Sequence, residues 1–165
     1  MSRLVSIGIT IVVVILMHCN VHGQTLKIIS FNLRYDNPND GVNSWDKRKE
    51  SVVELINFYN PEILGIQEGL HQQVQYLVKN LSNYEYIGVG RDDGKQQGEY
   101  TAILYDKTKF SVLKTGTFWL SDKSDTISVG WDASMERICR KANGLVWSHH
   151  SCTYELHSCS VVFNI

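Results

Sequence analysis

Leu26-Lys27-Ile28-Ile29-Ser30-Phe31-Asn32 is the stretch on which the fold turns. It is short, mostly apolar and bounded by polar residues, which predicts a strand. A loop dense in turn formers follows, Asp36-Asn37-Pro38-Asn39-Asp40-Gly41. Ser44 then offers a cap for a helix beginning at Trp45, in which Val52, Leu55, Ile56 and Tyr59 recur at helical spacing and which Pro61 closes. Ile63-Leu64-Gly65-Ile66 predicts a second buried strand. Gln72 to Leu81 predicts a second helix with Val74, Leu77, Val78 and Leu81 on one face, and Tyr84 to Val89 a third strand. Beyond the polar loop 91–98, strands are predicted over Tyr100 to Tyr105 and Phe110 to Leu113, with a further one at Phe118-Trp119-Leu120. Strands alternating with helices in this order argue for an α/β sandwich. After Cys139 no period survives, so residues 140–165 are expected not to continue the fold.

The bounds on function come from composition. With 16 Lys+Arg against 17 Asp+Glu, no global basic field exists to drive non-specific nucleic-acid binding. A hydrophobic content of 43% with two prolines is that of a globular chain. Arg3, the apolar run Leu4 to Met17 and Val21-His22-Gly23 have the order of a secretory signal peptide over residues 1–23, cut before Gln24. The apolar run is short against the ~20 residues of a membrane span. Its removal leaves Cys139, Cys152 and Cys159, an odd count; a Cys152–Cys159 bridge that leaves Cys139 free is one pairing open to it. Asn80-Leu81-Ser82 is a glycosylation sequon.

Two polar residues close apolar strands, Asn32 the first and Glu68 the second. The carboxyl ends of strands are where open α/β sheets build sites. Both side chains present oxygen, the ligand that a hard cation such as magnesium takes. The same pattern also describes an Asn bonding a turn and a solvated Glu, and spacing alone does not separate the two readings. Trp119 and Trp131 read as core aromatics.

Taken together, Ser30-Phe31-Asn32-Leu33-Arg34, Gly65-Ile66-Gln67-Glu68, Gly98-Glu99-Tyr100-Thr101-Ala102-Ile103-Leu104-Tyr105, Phe118-Trp119-Leu120-Ser121, Gly130-Trp131-Asp132-Ala133 and Arg137-Ile138-Cys139 resemble, in order and spacing, the endonuclease/exonuclease/phosphatase superfamily. The resemblance spans about residues 26–139 and is nearest to a secreted bacterial-type branch. It implies a DNase I-like α/β sandwich, here its first half: one sheet with covering helices. It further implies that Glu68 and Asn32 are metal ligands for Mg2+ or Mn2+, that Glu99 is the acidic residue of the catalytic site that orients a catalytic histidine, and that Arg137 binds the substrate phosphate. Arg34, Trp45 and Arg48 are assigned to the rim of the cleft.

The family site has further groups, an Asn-Thr-His segment, an Asp-x-Asn segment and a final Asp-His, that this chain does not carry; its only histidines after Glu99 are His149, His150 and His157. The resulting organisation is a signal peptide over 1–23, a partial domain over 24–139 and a divergent tail over 140–165. The expectation is a partial metal-dependent phosphohydrolase, inactive as this chain and holding its cation weakly. The alternatives are a secreted non-catalytic binding module or a non-functional truncated product. The implied partner is a phosphoester substrate (nucleic acid, phospholipid head group or sugar phosphate), with no stable protein partner. Loss of a covering sheet predicts self-association through an exposed apolar face. The expected location is secreted, or periplasmic in a bacterium.

Overall fold

The computed structural model describes residues 25–147 and 153–159. Residues 1–23, read above as a signal peptide, and Cys152 lie outside the described residues. The elements run β1 (Ile28–Asn32), a 3-10 segment (Pro38–Asn43), α1 (Trp45–Tyr59), β2 (Ile63–Gly69), α2 (His71–Asn80), β3 (Tyr84–Gly90), β4 (Tyr100–Asp106), β5 (Phe110–Trp119), β6 (Ile138–Trp147) and β7 (Thr153–Cys159).

β1, β2, β4 and β3 form one sheet in that order. β1 and β2 are parallel, joined by α1, whereas β2–β4 and β4–β3 are antiparallel. Its outer face carries the two helices. Val52 and Ile56 of α1 and Val74 and Leu77 of α2 pack on Leu64, Ile66, Ala102 and Leu104. Trp45, assigned above to the cleft rim, belongs to this core: it is buried and meets the Tyr76 ring edge-on at 5.8 Å. β4 is buried along its whole length, so neither of its faces meets solvent and its sequence shows no alternation.

A second sheet, absent from the sequence-based expectation, is antiparallel in the order β5-β6-β7. The tail that lacks periodicity supplies two of its three strands, and the boundary read at residue 139 falls inside β6. The two stretches expected as separate strands, around Phe110 and Trp119, are one ten-residue strand. The sheet lies against the inner face of the first, where Ile63, Ile103, Tyr105, Phe110 and Ala142 form a joint cluster. The face expected to be bare is therefore covered over β2 and β4, while Ile28 of edge strand β1 stays exposed. Apolar side chains are also exposed on α1, at Leu55, Phe58 and Tyr59. Leu55 and Tyr59 line a groove of about 250 Å³ together with Ile29, Phe31 and Leu64.

Two further expectations are corrected. Cys139 is disulfide-bonded rather than free, and Cys159 stands opposite it in the β6–β7 register. Trp119 is buried as expected, but Trp131 is 73% exposed, in a left-handed backbone conformation with φ 52. Among the described residues no helix is long and apolar enough to cross a membrane.

Candidate active site

Because β1 and β2 run parallel, Asn32 and Glu68 finish at the same end of the first sheet. β4 runs the other way, so Glu99, which immediately precedes it, lies at that end too. Register alone thus gathers residues distant in sequence.

Asn32 is fixed by the turn that follows. Its Oδ1 accepts the backbone N–H of Arg34 at 2.8 Å, while Arg34 itself is left-handed at φ 61. Asn and Asp favour such turns because a short side-chain oxygen can reach the backbone two residues on. The loop beyond is strapped from below. The Arg48 guanidinium donates to the carbonyls of Leu33, Arg34 and Asn43, and the buried amide of Gln73 donates to Arg34 O at 3.0 Å. The Arg34 guanidinium grips Asp40 with two bonds, of 2.8 and 3.0 Å. That pairing raises its pKa, and Glu68 is close enough to add to the effect.

Glu68 occupies an irregularity in β2. The β2–β4 ladder shifts register between Ile66 and Gly69, and Glu68 sits within the shift at φ 59. A bulge re-aims a side chain at the end of a strand. A non-glycine residue held left-handed is uncommon, and such strain concentrates at functional positions.

Glu99 closes a loop that is rigid by construction. The loop 90–98 bonds to itself through Gly90 N–H to Lys95 O, Asp92 N–H to Gln97 O and Arg91 N–H to Glu99 O. The Asp93 carboxylate accepts the N–H groups of Gln97 and Lys95, which hold its pKa below the ordinary value. Gly98 stands at φ +80, and a Cβ there would fall 2.3 Å from the Asp92 carboxylate, so only glycine fits. Trp119 anchors the loop by donating its indole N–H to Arg91 O at 3.1 Å. His71 joins β2's end to the same loop: its Nδ1 meets the Tyr100 hydroxyl, which in turn donates to Lys95 O, each at 2.8 Å.

The carboxylate of Glu99 accepts Arg91 Nη1 at 2.9 Å, both side chains being largely buried. Burial pushes the Glu99 carboxyl above its usual value. Arg91 and Arg137 pull against that shift, whereas Glu68 and Asp92 reinforce it. These couplings bring Glu68, Glu99 and Arg137 into one electrostatic neighbourhood, with Asn32 at its side through Arg34. Arg137 is set by its carbonyl, which accepts Leu120 N–H at 2.8 Å. Sequence reasoning did not find Arg91. It reads as one charge among several in a polar loop, and its pairing depends on a turn that brings residues 91 and 99 together.

Among the described residues no group of three His, Cys, Asp or Glu side chains forms a metal cage. The donor set is instead one carboxylate and one amide oxygen. It fits a magnesium-type cation, which keeps several waters and takes one or two protein carboxylates.

Solved structures with this arrangement of strands supply the context. An endonuclease/exonuclease/phosphatase protein from Bacteroides vulgatus superposes with a TM-score of 0.80 and 40% identity, over 82% of this chain and 52% of that one. The chain belongs to the endonuclease/exonuclease/phosphatase superfamily. A mannosyl-6-phosphatase from Bacteroides thetaiotaomicron superposes with a TM-score of 0.79 and 34% identity, over 82% of this chain and 51% of that one. Human tyrosyl-DNA phosphodiesterase 2 is 29% identical over 93 residues, covering 55% of this chain and 23% of its own length. These superfamily relatives are phosphohydrolases, and this chain spans about half the length of the two superposed structures. No family profile matches the chain.

Proposed function

We propose that this chain carries the cation-holding and phosphate-facing part of a metal-dependent phosphoester hydrolase site, with little turnover on its own. The observation that supports this reading is the placement of Glu68: a left-handed glutamate in a strand-end bulge, beside Asn32 and facing the Arg91–Glu99–Arg137 group. In the proposed assignment Glu68 and Asn32 hold Mg2+ or Mn2+. The cation, when bound, neutralises phosphate charge and lowers the pKa of a coordinated water. Arg137 donates paired N–H groups to phosphate oxygens, the geometry in which guanidinium is strongest. Arg91 neutralises Glu99 and holds the loop against the phosphate.

The same geometry supports the proposal of low turnover. Glu99 is engaged by an arginine, and the one described histidine in this neighbourhood, His71, is bonded to Tyr100. The His71 ring is thus engaged elsewhere. General acid–base catalysis is worth ~10²–10⁴-fold where it operates. Substrates of the class include phosphomonoesters of sugars, as the Bacteroides thetaiotaomicron relative takes, and phosphodiesters. We further propose that the protein is secreted, on the strength of the leader-like residues 1–23.

The purified chain, assayed with Mg2+ on chromogenic phosphomonoesters and phosphodiesters, is expected to give no more turnover than its Glu68→Ala variant. Fast turnover that Glu68→Ala abolishes would reject the low-activity reading while supporting the metal assignment. Fast turnover untouched by Glu68→Ala would reject both.

A further inference from the structure

Between the two sheets, one step below the strand-end site, lies a polar layer that the proposed function does not use. Its centre is Arg140. Thr117, Arg140 and Ser158 are consecutive register partners across β5, β6 and β7, so their side chains share one face. That face is the inner one. Ser158 Oγ accepts from the Gln67 amide of β2 at 3.3 Å, and Ala142, two residues on from Arg140, packs in the cluster with Ile63 and Ile103. From the first sheet, Ser30 Oγ accepts from the same Gln67 amide at 3.3 Å. Thr101, fully buried, is on that side as well, two residues before Ile103.

The layer is short of partners. The Arg140 guanidinium makes one bond, Nη1 to Thr117 Oγ1 at 2.5 Å, and its buried Nε has none. The Thr101 hydroxyl is also buried without a partner. No carboxylate acts on Arg140 among the described residues: burial alone moves its pKa, and moves it down. A buried charge without a counter-charge is costly, and a buried polar atom without a partner calls for an explanation. Arg140 is also only half-buried, so its environment is open on one side.

We propose that Arg140, with Thr117 and Ser158 on either side, forms an oxyanion site between the sheets that receives a phosphate group. A guanidinium fork matches tetrahedral oxyanions, and flanking hydroxyls supply the remaining donors. The site rests on the proposed function only for the identity of its ligand. Gln67, which precedes Glu68, bonds Ser158, and Ser30 stands two residues before Asn32, so we place this layer as the floor of the strand-end site.

The test is calorimetric titration of the intact chain with inorganic phosphate, in EDTA and again in Mg2+, at constant ionic strength with chloride as control. In EDTA no divalent cation links phosphate to Glu68, so binding there reports the arginines, and Arg140→Gln separates the floor from Arg137. Wild type should bind phosphate in EDTA. Arg140→Gln should weaken that binding at least tenfold, Arg140→Lys and Thr117→Val several-fold each. In chloride buffer, Arg140→Gln should melt at or above the wild-type temperature, because it removes an unpaired buried charge. Absence of phosphate binding in EDTA, or binding that Arg140→Gln leaves intact, overturns the proposal. Binding seen only in Mg2+ and lost in Glu68→Ala also overturns it, while leaving the metal assignment standing. A marked fall in the melting temperature of Arg140→Gln in chloride would make Arg140 a structural residue and overturn it as well.

Discussion

Replacing Gly90 with alanine is expected to open the loop 90–98 and release the Arg91–Glu99 pair. A Cβ at this position would stand 2.1 Å from the carbonyl oxygen of Gln97 and 2.8 Å from its nitrogen. Both obstacles are backbone, so no side-chain rotation relieves them. The loop must shift, and three of its internal bonds begin or end within that turn: Gly90 N–H to Lys95 O, Gly94 N–H to Gly90 O and Asp92 N–H to Gln97 O. Overpacking a well-filled site costs ~1–3 kcal/mol, and a backbone clash belongs at the upper end. Trp119 provides a local reporter, since its indole N–H is bonded to Arg91 O and its ring packs under Gly94. In Gly90→Ala the Trp119 indole resonance should move and lose protection from exchange. Gly116 is the control: a Cβ there meets nothing within 4 Å, so Gly116→Ala should shift stability by no more than about 0.5 kcal/mol. An unchanged Trp119 resonance in Gly90→Ala would show that the loop is not closed as described.

Phe110→Ala is expected to produce the largest loss of stability. Phe110 begins β5, is 2% exposed, and sits in the cluster that joins the two sheets. Truncating a buried phenylalanine costs ~3–5 kcal/mol, through lost transfer energy and the cavity left behind. For a chain of this size each kcal/mol lowers Tm by roughly 2–4 °C, so a fall of about 10 °C is expected. The same change tests whether the tail strands complete the fold. If β6 and β7 did not hold the second sheet against the first, Phe110 would lie near solvent, and its truncation would change stability by about 0.5 kcal/mol or less.

The sequence is legible where one segment decides its own environment. β1, β2 and β4 announce themselves by apolar runs, and α1 and α2 by spacing of Val52, Ile56, Val74 and Leu77, all of which are buried. The strand-end positions of Asn32 and Glu68 follow from those runs. What is not legible depends on partners. β6 reads as patternless because its inner face alternates Ile138, Arg140 and Ala142, interrupting the apolar stripe with a charge. Neighbouring Cys139 is fully buried, on account of a disulfide that no local pattern shows. Trp131 carries an aromatic side chain that composition assigns to a core, yet it lies in an exposed turn between β5 and β6. The Arg91–Glu99 pair depends on the return of a turn, and the positive φ of Glu68 on a bulge. Neither is encoded by a residue type that favours it.

Divalent-cation titration of the wild-type chain beside Glu68→Ala tests the central claim most directly. The claim is that the bulge in β2 aims Glu68, beside Asn32, at a hard cation. Calorimetry with Mn2+, repeated with Mg2+, should find one site in the wild type. The affinity should fall at least tenfold in Glu68→Ala and less in Asn32→Ala, with both variants melting within a few degrees of wild type. Equal cation affinity in wild type and Glu68→Ala would contradict the account.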